Sequence, residues 1–209
     1  MLYDLLWIAV GYLSGSVMYS YLLPQKIKGI DVCSRSADGN PGAANAFSQA
    51  GVLMGLLCVA ADILKGFFPI WLCVRSGGAS RPLFAVVLAA PVLGHASSRF
   101  LGNKKRGGKA IAVSFGVTLG VLPEIRPFVI LAACYLLFSL VIRIYPNAVR
   151  SIVTFTLFGS LCALSLSDGR MKAGFAMIAA VVIIKHLEGC GKEKAEICFL
   201  KKRGKKSDE

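Results

Sequence analysis

The chain is short of acid, of histidine and of charge altogether. Eleven Asp and Glu face 24 Lys and Arg, only two histidines occur, and charged residues make up 17% of 209 positions. A soluble domain carries about 25% charged residues and fewer long apolar runs, so an ordinary water-soluble globule is excluded. The seven cysteines offer no metal or disulfide pattern. Cys58, Cys73, Cys134 and Cys162 lie in apolar runs, where a free thiol behaves as a small hydrophobe, and Cys190 and Cys198 have no second pair to complete a zinc site. No nucleic-acid-binding motif accompanies the basic residues of the tail, which sets nucleic acid aside as a partner. Neither an internal repeat nor paired broken helices point to a transporter.

What is present is apolar length: 56% of residues are hydrophobic and the mean hydropathy is +0.66. Seven segments can be read, at Leu2–Leu23, Gly51–Val74, Pro82–Leu101, Ala110–Leu122, Pro127–Ile144, Val149–Leu166 and Ala173–Ile184. A crossing takes about 20 residues, so seven use roughly 140 and leave short loops and a tail. The first segment has no basic region before it, carries Asp4 and lacks a clear small-residue cleavage site after Leu23, so it is expected to be a retained helix and not a signal peptide. The expected fold is an all-α, polytopic membrane bundle of about seven transmembrane helices, residues 1–190, with a basic, partly helical tail at 191–209. With loops alternating sides, eighteen basic residues fall on one side, including Lys26, Lys28, Lys104, Lys105, Arg106, Arg143, Arg150 and the tail, and five on the other: Arg75, Arg81, Arg126, Arg170 and Lys172. The positive-inside rule then places the amino terminus outside and the carboxyl terminus in the cytoplasm.

Several residues need a reason to be in such a chain. The loop Asp38-Gly39-Asn40-Pro41-Gly42-Ala43-Ala44-Asn45 is rich in residues that tolerate φ > 0; it is either an ordinary turn or an anion-binding nest ahead of a helix. Arg106-Gly107-Gly108-Lys109 precedes an apolar helix. It lacks the Walker A spacing and reads equally as a phosphate cradle or as a basic membrane-flanking loop. Asp62 and Lys65, three apart within an apolar run, share a helical face and are costly there unless paired or facing a wet cavity. His95 reads as a hydrogen-bonded core residue or a catalyst, and His186 ends the last segment at the basic rim. Gly11, Gly15 and Ser16 form a small-residue stripe suited to close helix packing. Two phosphate-friendly loops, an intramembrane Asp–Lys pair and two histidines converge on one half of the bundle, which points to an anionic, phosphorylated substrate handled beside lipid.

In order along the chain, Gly15-Ser16, Gly39-Asn40-Pro41-Gly42-Ala43-Ala44-Asn45, Asp62-Ile63-Leu64-Lys65-Gly66, Gly94-His95 and Gly107-Gly108-Lys109 resemble the motifs of the bacterial acyl-phosphate-dependent glycerol-3-phosphate acyltransferases, the PlsY family. The resemblance covers essentially the whole chain. It implies a multi-pass enzyme of the bacterial inner membrane that transfers an acyl group from acyl phosphate to glycerol 3-phosphate, giving lysophosphatidic acid and phosphate. It implies an active site on the cytoplasmic face and neither a cofactor nor a metal. Lys109, His186 and Asn45 would be catalytic, and Gly39, Asn40, Gly42, Ala43, Gly107, Gly108, Lys65, Asp62, His95 and Ser16 would bind substrate or phosphate. The chain departs from the family pattern at four positions: Asp38 replaces a serine, Ala44 a threonine, Ser48 an arginine and Gly189 an asparagine. Arg35, Lys105 and Arg106 are the expected compensating cations. A non-catalytic relative that binds a lipid phosphate or a lipid-synthesis partner is the alternative that these losses leave standing.

Overall fold

A computed structural model describes residues 1–34, 36, 39–97, 107–188 and 196–199. Helix α1 (Leu2–Ser16) and helix α2 (Tyr19–Lys28) meet at a 42° bend. The short α3 (Ala43–Ala50) leads into α4 (Val52–Arg75), the longest helix described. Then follow α5 (Phe84–Ser97), α6 (Ile111–Gly120) and α7 (Arg126–Leu136), which runs into a π-helical turn at Leu137–Val141. Strand β1 (Ile142–Tyr145), α8 (Asn147–Ser165), α9 (Gly169–Leu187) and strand β2 (Glu196–Phe199) complete the order.

The polarity of this bundle is inverted relative to a soluble protein. On α4 the exposed residues include Leu53, Leu56, Leu57, Leu64, Phe68 and Leu72, a stripe at three- and four-residue spacing, while Asp62 and Lys65 are buried on the opposite face. An apolar exterior over a polar interior is what a hydrocarbon solvent selects. Two described helices, α4 and α8, are long and apolar enough to cross a membrane, and α1 with α2 makes a third if the bent pair is one span.

Glycines set how closely the helices pack. A Cβ on Gly15 of α1 would overlap the Pro91 carbonyl of α5, and one on Gly94 of α5 would overlap the Tyr12 carbonyl of α1. The same reciprocity joins α4 and α6, where Gly66 faces the Val113 carbonyl and Gly116 the Ile63 carbonyl. Small residues let backbones touch where no hydrophobic force drives helices together. The far side of the core is aromatic: Phe155, Phe158 and Phe175 stack edge to face at centroid distances of 5.9 and 5.7 Å, tying α8 to α9.

Three sequence expectations need correction. The segment Leu2–Leu23 is not one helix, because Val17 adopts extended backbone at φ −73°, ψ 117°. The segment Pro127–Ile144 does not stay helical to its end; Ile142–Tyr145 is a strand paired antiparallel to Glu196–Phe199, with Arg143 opposite Cys198 and Tyr145 opposite Glu196. That pairing also shows extended structure within a tail expected to be partly helical. The β-branched and aromatic residues of Ile142-Arg143-Ile144-Tyr145 favour a strand once a partner is at hand. Asp38, Arg35, Arg99, Lys104, Lys105, Arg106, Gly189, Cys190 and most of the tail lie outside the described residues.

Candidate active site

Proline and a broken helix prepare the interior. Pro69 has no N–H to give the Lys65 carbonyl one turn earlier, and the Ser14 hydroxyl donates to that carbonyl at 2.8 Å instead. The break after Ser16 likewise frees the Val17 carbonyl, and Lys65 Nζ donates to it at 2.5 Å. Lys65 also lies 2.8 Å from His95 Nδ1, and its charge is 2.7 Å from Asp62 Oδ1, out of line for a hydrogen bond. Ser20 donates to Asp62 Oδ2 at 2.5 Å. The ammonium can only donate, so His95 Nδ1 accepts and its Nε2 carries the proton.

This buried network fixes the glycine loop. Gly108 N–H donates to the His95 carbonyl at 3.1 Å. A Cβ on Gly108 would overlap the His95 ring, and one on Gly107 would overlap the Ala96 carbonyl; both glycines are therefore required by contact. Ala110 then takes a left-handed conformation, φ 61°, uncommon for a residue with a side chain. It turns the chain into α6 directly after Lys109.

A cavity of about 600 Å³ lies where these elements meet. Asn40, Gly42, Ala43 and Asn45 line it from the first loop and the start of α3, and Lys109 from the glycine loop. Asp62 and His95 line it from the buried network, His186 from the end of α9, and Asn147, Arg150 and Ser151 from the first turn of α8. Phe47, Val59, Ile63 and Phe115 give it an apolar wall. The first loop holds itself in shape: Asn45 Nδ2 donates to the Asn40 carbonyl at 2.8 Å, and the space a Gly42 side chain would need is filled by the Asn40 amide. His186 is almost fully buried, and its Nδ1 lies 2.8 Å from the Val182 carbonyl. A carbonyl only accepts, so Nδ1 carries the proton and Nε2 is left as an acceptor. The two histidines thus have opposite tautomers.

Of the residues singled out in the sequence, Lys109, His186, Asn45, Asn40, Gly42, Ala43, Asp62 and His95 come together on this cavity. Lys65, Gly107 and Gly108 stand behind it as supports. Gly39 (φ 58°) does not line it, and neither does Ser16, whose hydroxyl donates to the Tyr12 carbonyl at 2.7 Å. Sequence reasoning missed Tyr135, Asn147 and Ser151, and counted Arg150 only as a loop charge. The signal available was a polar Asn-x-x-Arg-Ser opening a long apolar helix.

The profile of the glycerol-3-phosphate acyltransferase family matches residues 5–193. A glycerol-3-phosphate acyltransferase of Thermotoga maritima is 40% identical over 108 residues, an alignment spanning 52% of this chain and about half, 53%, of that protein. One from Trichlorobacter lovleyi is 36% identical over 187 residues, covering 87% of this chain and 89% of its own length. Crystal structures of PlsY (YgiH), an integral membrane glycerol 3-phosphate acyltransferase, in its glycerol 3-phosphate and lysophosphatidic acid forms, superpose with TM-scores of 0.74 and 0.73 at 27% identity, covering 88% of each chain. The family profile spans nearly the whole chain and the fold agrees with PlsY over 88% of it, and the chain belongs to the glycerol-3-phosphate acyltransferase family.

Proposed function

We propose that the cavity is the active site of a membrane enzyme that transfers an acyl chain from acyl phosphate to the 1-hydroxyl of glycerol 3-phosphate. The observation that carries this reading is the meeting of Lys109, the acceptor face of His186 and the Asn40–Asn45 loop in one cavity that also has an apolar wall. Cations and backbone amides suit phosphate, and the apolar wall suits the first carbons of an acyl chain.

The acceptor hydroxyl oxygen attacks the acyl carbonyl, and the bond from the carbonyl carbon to the phosphate oxygen breaks with its electron pair leaving on phosphate. The hydroxyl proton passes to His186 Nε2 and ends on the departing phosphate. Lys109, held in place by Gly107 and Gly108 behind it, stabilises the phosphate charge as it develops. Asn45 keeps the first loop in register, and the Asp62–Lys65–His95 network holds the glycine loop at a fixed height. The donor is already activated, so holding the two substrates in line supplies much of the rate and no acyl-enzyme is needed.

The seven crossings are read as α1 with α2, α4, α5, α6, α7 with its π turn, α8 and α9. The amino terminus is outside, and the active site and carboxyl terminus face the cytoplasm of a bacterial cell. Residues 1–190 form the catalytic bundle and 191–209 a basic tail on the lipid surface. The distribution of basic residues supports this orientation.

Purified protein incubated with acyl phosphate and glycerol 3-phosphate releases inorganic phosphate and forms lysophosphatidic acid. No turnover across donor chain lengths, beside an active control enzyme, overturns the reading.

A further inference from the structure

The resemblance to the family implies an arginine where this chain has Ser48. That residue does not line the cavity, and its hydroxyl donates to the Asn45 carbonyl at 3.1 Å. A dianionic acceptor handled without that arginine needs another cation. The opposite wall supplies one. Arg150 projects from the first turn of α8 onto the cavity, with its guanidinium carbon 5.5 Å from the centroid of the Tyr135 ring. Its Nε is buried and has no hydrogen-bond partner, and no carboxylate among the described residues pairs with it. A buried guanidinium N–H without an acceptor is expensive unless a ligand provides one. Asn147 and Ser151 flank it on the same wall, and the charges of Arg150 and Lys109 both act on His186.

We infer that Arg150 is the phosphate-binding residue for the acceptor, taking over from the opposite wall the work of the arginine missing at Ser48. This inference rests on the acyl-transfer reading of the cavity. The guanidinium forks onto two oxygens of the glycerol 3-phosphate phosphate, and Tyr135 keeps its plane fixed from below. The acceptor is assigned over the donor because Arg150 sits at a helix end. A fully hydrophilic substrate enters there, whereas the donor phosphate is drawn toward the apolar wall by its chain. Recognition is therefore of a phosphorylated polyol, and unphosphorylated glycerol is rejected for want of a partner to the buried Nε.

The full-length protein in detergent micelles tests this with Arg150→Gln and Arg150→Lys, read by steady-state kinetics and by calorimetric binding of glycerol 3-phosphate. Arg150→Gln raises KM for glycerol 3-phosphate by about tenfold or more while KM for acyl phosphate stays within about twofold, and Arg150→Lys recovers part of the loss. An unchanged acceptor KM, or a rise confined to the donor, overturns the inference. Calorimetry keeps it separate from the catalytic reading: if the wild type turns nothing over, binding of glycerol 3-phosphate that disappears in Arg150→Gln still supports the role of Arg150. Absent or equal binding in wild type and variant overturns it. Should Arg150→Gln not fold, Arg150→Lys decides alone, since an ammonium cannot fork and an unaltered acceptor affinity would refute a bidentate site.

Discussion

At the scale of single residues, the cavity combines groups whose positions are imposed by their neighbours. Lys109 follows two glycines that have no room for a side chain and precedes an alanine held at positive φ. Lys109→Ala is expected to lower kcat/KM by about 10²- to 10³-fold, the range for removing one donor to a developing negative charge. The thermal midpoint should stay within a few degrees of wild type, because the buried supports are untouched. Phosphate release and a melting curve on the same preparation check both halves. The sequence showed the Asp62–Lys65 pair through its i, i+3 spacing. It did not show Arg150, since a basic residue beside an apolar helix reads as a topology signal until the fold shows which way the first turn of α8 faces. The expected compensating residues Lys105, Arg106 and Arg35 all lie outside the described residues.

At the scale of elements, two crossings and one cap stand out. The α4–α6 contact is built on Gly66 and Gly116 meeting carbonyls of the other helix. Gly116→Val should separate the helices, move Lys109 with α6, and lower the thermal midpoint by several degrees, as overpacking by the three carbons of an isopropyl group costs about 1–3 kcal/mol. A midpoint and activity equal to wild type would contradict the contact. The α1–α5 crossing was foreshadowed by the GxxxG spacing of Gly11 and Gly15. Gly116 and Gly120 share that spacing on α6, but spacing alone does not name the helix they meet, about fifty residues away on α4. The bend after Ser16 was also invisible: no proline occupies Val17 or Met18, and the reward for breaking there is a carbonyl for a lysine on α4.

Asp168 caps α9, accepting from the backbone N–H of Arg170 and Met171, and its Oδ2 lies 2.5 Å from Arg170 Nη2. The Arg170 guanidinium, first, and these amides hold the carboxyl down from its ordinary 3.8 to about 2, against a smaller opposing effect of burial. A folded value below the unfolded one means stability that is present above 3.8 and lost as pH falls through about 2. Asp168→Ala should therefore be less stable than wild type at neutral pH by about 1 kcal/mol, the usual worth of an N-cap. The gap should close as the pH is taken from 3.8 down to about 2. Thermal midpoints of the two proteins over that range measure it; a gap that persists at the acid end would remove the carboxylate from the account.

At the scale of the whole molecule, composition and charge asymmetry were enough to read a helical membrane bundle, because a bilayer tolerates few alternatives. The proposed orientation has a direct check. A single cysteine introduced at Ser167, in a background without native thiols, should react with a membrane-impermeant maleimide from outside intact cells. One introduced at Ser36 should react only after the inner membrane is opened, and the reverse pattern would invert the topology. What the sequence could not carry was the assembly of the cavity from seven separate stretches of chain, three of which contribute a single residue each: His95, Tyr135 and His186.

The Val17 carbonyl described above bears on how the protein is made. Until α4 arrives, the bend in the first span presents an unpaired carbonyl to hydrocarbon, and until the bend arrives α4 carries Lys65 with too few acceptors. Each is a poor lodger in the bilayer alone, at a cost of a few kcal/mol per polar group. Insertion of the amino-terminal third is thus expected to be cooperative: the first span and the second each gain a polar partner only when both are in place, and the active-site floor is sealed in the same event.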